Sequence, residues 1–132
     1  MGFADDISKW TQKAKGQMEV AIRATAFEAF KRVILRSPVD TGRFRANWGV
    51  SVGSPWLGNV AYVDPSGQTA MGEAAKGVDS WNCQGSIFLC NSTEYGQKLE
   101  YGSSKQAPQG MVRVTAAEFE GFAAEVAVRS TK

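Results

Sequence analysis

The sequence predicts an α+β domain: a small, mainly antiparallel sheet with two long helices packed across one face and a long flexible loop. Three observations carry this. Apolar residues recur at helical spacing near both ends of the 132-residue chain, two stretches between them switch to strand-like patterns, and a glycine-rich segment interrupts both periods. The length suits a single domain over 1–132, large enough to bury a core without disulfides or metal.

Residues 5–36 read as one helix. Met18, Ile22, Ala26, Phe30 and Val33 share a face, Val20, Phe27 and Ile34 widen it, and Ile7, Trp10 and Ala14 extend it backwards. Gly16 is a weak point where the helix is expected to bend or break. Some thirty residues at a rise of about 1.5 Å each outrun a small domain, so the first turns should project or pack on a neighbour. Pro38 ends the helix, because the residue before proline is biased away from helical angles.

From Phe44 to Val52, Phe44, Ala46, Trp48, Val50 and Val52 alternate with more polar or smaller residues, the pattern of a half-buried strand. Gly53-Ser54-Pro55 then turns the chain toward a second strand, Asn59–Val63, to make a hairpin. Residues 64–85 have little periodicity beyond a possible helical turn at Thr69–Lys76, and are expected to form a projecting interaction loop. The nearly continuous apolar run Ser86–Cys90 predicts a central strand covered on both faces. Asn91, with Glu94 three residues on, predicts a capped helix carrying Tyr95 and Leu99 and ending at Gly102. A final helix is expected from Met111 to Val128, with Met111, Thr115, Phe119, Phe122 and Val126 on its inner face.

Composition excludes several chemistries. The chain has no histidine and two cysteines, Cys83 and Cys90, so imidazole acid–base work, His-based triads and a structural zinc site are not expected. No cofactor or metal is expected. Net charge is +2, with nine Lys/Arg against five Asp/Glu in residues 1–55 and six against eight in 56–132. Opposite signs in the two halves suit head-to-tail contact with copies of itself or a partner, and fall short of a dedicated DNA-binding stripe. No run is apolar enough to span a bilayer. "MGFADDISKW" lacks a basic segment leading into a long apolar run, so no signal peptide is expected.

"SPVDTGRFRANW", residues 37–48, contains Asp-Thr-Gly, the tripeptide of aspartic protease catalytic loops. A chain this short would supply Asp40 as one half of a dimeric dyad. The context opposes this, since the charged end of an amphipathic helix precedes the tripeptide and Arg43 follows it. A turn explains the same residues: Pro38 stops the helix, Asp40 and Thr41 bond local backbone, and Gly42 accepts positive φ. "GSSKQAPQG" lacks phosphate-loop spacing and follows a helix rather than a strand. Glu94 and Lys98 form an ordinary i, i+4 pair. Among four tryptophans Trp48 belongs to the core, whereas Trp56 and Trp81 flank the glycine-rich segment and suit protein–protein contacts. A nucleic-acid-binding module is the weaker option, because these aromatics lack an interleaved basic groove.

Two segments together carry a family likeness. One runs through Pro38, Val39, Asp40, Thr41, Gly42, Arg45 and Trp48; the other through Asn91, Tyr95, Leu99, Glu100, Gly102, Ser104, Pro108, Gly110 and Arg113. In order and spacing, over roughly residues 20–125, they resemble the tail-completion and head–tail joining proteins of long-tailed bacteriophages, with Phe44 replacing a usual leucine and Gly96 a common alanine. The resemblance implies a non-enzymatic virion protein, made in the host cytoplasm. It implies a ring, of six subunits, at the head-proximal end of a phage tail, capping the tail tube and meeting the neck or head-closure protein, with DNA passing through its lumen. A head-closure connector ring is the neighbouring alternative. Interface elements are then expected in 64–85 and Glu100–Gln109. The interface candidates are Arg43, Arg45, Trp56, Trp81, Glu100, Tyr101, Gly102, Gln106 and Pro108; Arg45 and Glu100 serve equally well as internal salt-bridge partners.

Overall fold

The computed structural model describes residues 2–130 and has the α+β architecture: long helices α1 and α5 packed with a two-stranded antiparallel sheet. Helix α1, Phe3–Arg36, runs 34 residues without a break, and Gly16 does not interrupt it. At about 1.5 Å per residue it is roughly 50 Å long. Its second half enters the core, where Val33 and Ile34 are buried; Phe3, Ile7, Trp10 and Met18 in its first half stay exposed. Ser37 adopts extended angles (φ −66°, ψ 132°), as proline at 38 requires, and its hydroxyl returns to the Val33 carbonyl at 2.9 Å.

The expected strand from Phe44 begins later. Arg43–Ala46 form a single helical turn, α2, after Gly42 takes a left-handed conformation at φ 98°, and β1 covers Trp48–Val52. A spacing of four puts Phe44 and Trp48 on one side of a helical turn, and a spacing of two puts them on one side of a strand, so alternation alone cannot choose. Both side chains are buried, with ring centroids 5.7 Å apart in an edge-on arrangement.

The expected hairpin with Asn59–Val63 does not form. β1 pairs instead with β2, Ile87–Asn91, in the register Trp48↔Asn91, Val50↔Leu89 and Val52↔Ile87. The excursion after β1 is held by a side chain: Asn47, fully buried, accepts from Val60 N at 2.8 Å and donates to Val60 O at 3.2 Å. The amide occupies the place a strand partner would take. β2 is half-buried along its length, with β1 as its one neighbour, rather than central and covered on both faces.

The expected loop over 64–85 is largely a helix, α3, Gln68–Ser80. Its buried stripe, Ala70, Ala74 and Val78, repeats every four residues but is made of small side chains. Asp64 starts it, accepting from Ala70 N at 2.9 Å, and Gly67 turns into it at φ 77°. α3 packs against α1 and β1. A Cβ on Gly77 would lie 2.6 Å from Val50 Cγ1, so the glycine sets how closely α3 approaches the sheet.

Asn91 ends β2 instead of capping a helix; its Oδ1 accepts from Thr93 N and Oγ1, and α4 spans only Gly96–Glu100. Gly102 follows in the expected left-handed conformation, φ 91°. Helix α5, Val112–Ser130, lies along α1. Thr115, Phe122 and Val126 face inward, while Phe119 stays partly exposed. Glu118 ties the helices together, its carboxylate lying 3.1 Å from Arg32 and 2.7 Å from Arg36. These contacts, led by Arg36, hold the Glu118 carboxyl below its ordinary pKa. Arg32 also lies over the Phe122 ring, 4.4 Å from its centroid.

Because α3 sits directly on β1, Gly77→Ala is expected to lose about 1–3 kcal/mol of stability in urea unfolding, the cost of overpacking. A loop glycine at this position would make the same change neutral or slightly stabilising.

Candidate functional site

The two sequence motifs, some fifty residues apart, meet in space. Asn91 Nδ2 donates to the Phe44 carbonyl at 2.8 Å, and the rings of Phe44 and Tyr95 lie 5.7 Å apart. Gln106 pairs with the backbone of Val39 in both directions, accepting from its N–H at 2.8 Å and donating to its carbonyl at 3.0 Å. Between the segments lies a cleft of about 440 Å³ whose walls include Val39, Asp40, Arg43, Tyr95, Ser104 and Gln106.

Arg45 and Glu100 do not form a salt bridge with each other; each serves the end of a different long helix. Arg45 turns inward, donating to the carbonyls of Leu35 at 3.0 Å, Ser37 at 2.7 Å and Pro65 at 2.9 Å. A cation at the C-terminus of α1 meets both its unpaired carbonyls and the negative end of its dipole. Burial pulls the Arg45 pKa down, Asp64 opposes this, and a guanidinium stays charged. Its Nε is buried without a partner among the described residues, so the three carbonyls are held at some cost.

Glu100 does the reverse for α5. One oxygen accepts from Met111 N and Val112 N at 2.9 and 2.8 Å, the other from Arg113 N at 3.0 Å and Arg113 Nε at 3.1 Å. Burial pushes the carboxyl pKa up, and the backbone donors of Val112, Arg113 and Met111 outweigh it, leaving the pKa below the usual carboxylate range. Two glycines permit this geometry. A Cβ on Gly110 would strike Glu100, and one on Gly102 would strike the Pro108 carbonyl; both take positive φ.

Of the expected turn contacts among the described residues, the Thr41 bond to local backbone is present and the Asp40 one is not. Pro38 and Gly42 are buried, the Thr41 hydroxyl accepts from Arg43 N at 3.2 Å, and a Cβ on Gly42 would meet Pro65 at 2.6 Å. Asp40 is exposed, and its carboxylate makes no hydrogen bond among the described residues. It is the one carboxylate lining the cleft. It therefore sits on a surface corner after a helix, unlike a carboxylate held between buried strands. The Arg43 side chain reaches the cleft without a hydrogen-bond partner among the described residues. Tyr101 is 67% exposed, with the Arg113 guanidinium 4.8 Å from its ring. Gln106 and Pro108 are also exposed.

The tryptophans flanking 64–85 are less available than expected. Trp81 is a core residue, 8% exposed; its Nε1 donates to Gln84 O and its carbonyl accepts from Arg23 at 2.8 Å. Trp56 is half-buried, its ring pressed against Gly49 of β1 and Gly58. Among the described residues no group of three His, Cys, Asp or Glu side chains is placed to hold a metal, and Cys83 and Cys90 are free thiols. Among the described residues no helix is long and apolar enough to cross a membrane.

Sequence reasoning missed Ser37, Asn47, Asp64 and Glu118. Ser37 Oγ accepts from Trp48 Nε1 at 2.6 Å, joining the end of α1 to the start of β1. Asn47 stands in an apolar alternation and Asp64 precedes Pro-Ser-Gly; both were legible as cap or turn residues, but not their partners.

Glu100→Ala is expected to destabilise the protein by about 1–2 kcal/mol, as for loss of a helix cap. Since the folded pKa lies below the unfolded value of about 4.3, the Glu100 contribution is full above that pH and fades as pH falls through the folded value. The gap between wild type and variant in urea unfolding should therefore be constant from about pH 5 upward and close in more acidic solution. Comparisons of the chain with protein-family models, with characterised proteins and with solved structures gave no match.

Proposed function

We propose that this chain is a structural virion protein of a long-tailed bacteriophage, a tail-completion or terminator subunit. Copies form a ring at the head-proximal end of the tail, cap the tail tube and meet the neck, and DNA passes through the lumen without sequence-specific contacts. The observation that carries this is the convergence of the two motifs that resemble that family. They lock the C-terminal end of α1 and the N-terminal end of α5 from within, and leave Asp40, Thr41, Arg43 and Gln106 around one cleft, with Tyr101 and Pro108 exposed on the second motif.

That surface suits contact with other subunits. Its polar backbone is already satisfied by Gln106 and Glu100, so docking does not require refolding. Arg43 and Asp40 offer opposite charges side by side, and the positive first half of the chain against the negative second half favours head-to-tail closure. A head-closure connector ring would use the same features at the neighbouring position. A dimeric protease would need Asp40 shielded and paired with its symmetry mate, and its exposure on a turn lends that alternative no support.

The expected outcome is a ring-sized particle when the protein is mixed with its phage's tail-tube protein, read by native mass spectrometry and negative-stain microscopy. Asp40→Asn should assemble as wild type does, whereas Arg43→Glu and Tyr101→Asp should weaken association by about tenfold or more, as for interface anchors. A subunit that never associates with tubes, or proteolytic activity abolished by Asp40→Asn, overturns the proposal.

A further inference from the structure

The first half of α1 is an apolar stripe without a covering partner among the described residues. Phe3, Ile7, Trp10, Ala14 and Met18 follow one another in steps of three and four, and so share one face of the helix. Phe3, Trp10 and Met18 remain 79%, 71% and 63% exposed. Continuing the same steps along the same helix gives Ala21, Thr25 and Ala29, which form the floor of an apolar groove of about 450 Å³ walled by Phe119, Trp81 and Ile87. One straight face thus carries bulky side chains at one end and a floor of small residues at the other.

We infer that this face binds a second copy of the chain, the two α1 helices running antiparallel so that the projecting half of each lies in the groove of the other. The spacing is self-complementary about Gly16. Phe3 and Ala29 are equidistant from it, as are Ile7 and Thr25, and Ala14 and Met18; Trp10 falls opposite Ile22, which also lines the groove, and one residue from the level of Ala21. In three of the four layers a large side chain therefore meets a small one, and Trp10 meets the step between Ala21 and Ile22, an arrangement that allows close interhelical packing. A parallel pair would set bulk against bulk. Because stripe and groove share one face of one helix, seating one arm seats the other, giving a two-fold, isologous contact.

The area is sufficient. With large side chains contributing on the order of 150–250 Å² each, the two arms and two grooves would bury about 1,200–1,500 Å², within the range of stable specific interfaces. Asp5, Asp6, Lys9 and Lys13 fall off the stripe and remain in solvent. Aspartates in the first turn argue against an anionic lipid surface as the occupant. The contact lies apart from the Asp40–Arg43 cleft, so it does not depend on the phage assignment, and failure of one leaves the other standing.

Sedimentation equilibrium of the full-length chain, without tube protein, tests it. Wild type should reversibly reach twice the 14.2 kDa chain mass. Trp10→Glu should weaken the dimer by about 100-fold, as for a central aromatic anchor, with the circular dichroism of the folded subunit retained. Leu57→Glu, at a site 82% exposed and off the stripe, should change nothing. Ala21→Lys alone should also dissociate the pair, and mixing it with Trp10→Glu should restore a heterodimer, because the two positions come within one residue of the same level only in the antiparallel register. A wild-type monomer at all concentrations, self-association indifferent to Trp10→Glu, or failure of the mixed variants to pair overturns the inference. So does a stripe covered only by phospholipid vesicles or by tube protein, seen as a tryptophan blue shift while the chain stays monomeric alone.

Discussion

Helix α1 must stop inside the protein, and the carbonyls it leaves unpaired there set the constraint on everything after residue 36. An α-helix ends with orphan acceptors and a negative pole. Arg45 meets both, gathering the carbonyls of Leu35 and Ser37 at the end of α1 together with that of Pro65, twenty residues further along the chain. To reach them the chain must reverse within eight residues. The left-handed Gly42 and the single turn α2 accomplish that reversal. The path of the 53–65 excursion is fixed by the same guanidinium, because Pro65 is one of its three acceptors.

The start of α5 has the opposite need and the opposite answer. Its free N–H groups converge on Glu100, whose carboxylate reaches them only because Gly102 and Gly110 let the backbone fold tightly beneath it. Charged side chains at both long-helix ends thus replace the water and short local caps that serve at a protein surface. Asn47 and Gln106 extend the same economy to backbone that joins no sheet, each presenting an amide to one residue as a strand partner would. With two strands among the described residues, much of the chain between the helices is irregular, and these side chains satisfy it.

The order of the elements separates two kinds of surface. Around the cleft the backbone is pinned from several directions and presents a fixed arrangement of Asp40, Arg43 and Gln106. Among the described residues the first half of α1 has little tertiary support beyond the Cys83 contact to the Glu19 carbonyl, so its helix gains stability from whatever covers its apolar side. One rigid face and one extended helical arm are the two features on which the proposed contacts rest.

The residues alone determined the two long helices, the helix stop at Pro38, the turn at Asp40 to Gly42, a strand ending at Val52 though not where it begins, and the two motifs. In each case the information is local: a period of 3.6, a proline's fixed φ, a glycine's freedom. Tertiary structure decided the rest. Whether Phe44 begins a strand or a helical turn is degenerate in spacing, and packing against Trp48 and Tyr95 resolved it. β1 found its partner at Ile87–Asn91 rather than in the adjacent segment, because the core faces of Val50 and Leu89 meet there. α3 was hidden because alanine and glycine carry little hydrophobic signal, yet they permit the closest approach to the sheet. Most plainly, Arg45 and Glu100 were legible as charged residues of note, while their partners were not. A backbone carbonyl or N–H has no letter in the sequence, and only the fold brings a helix end within reach.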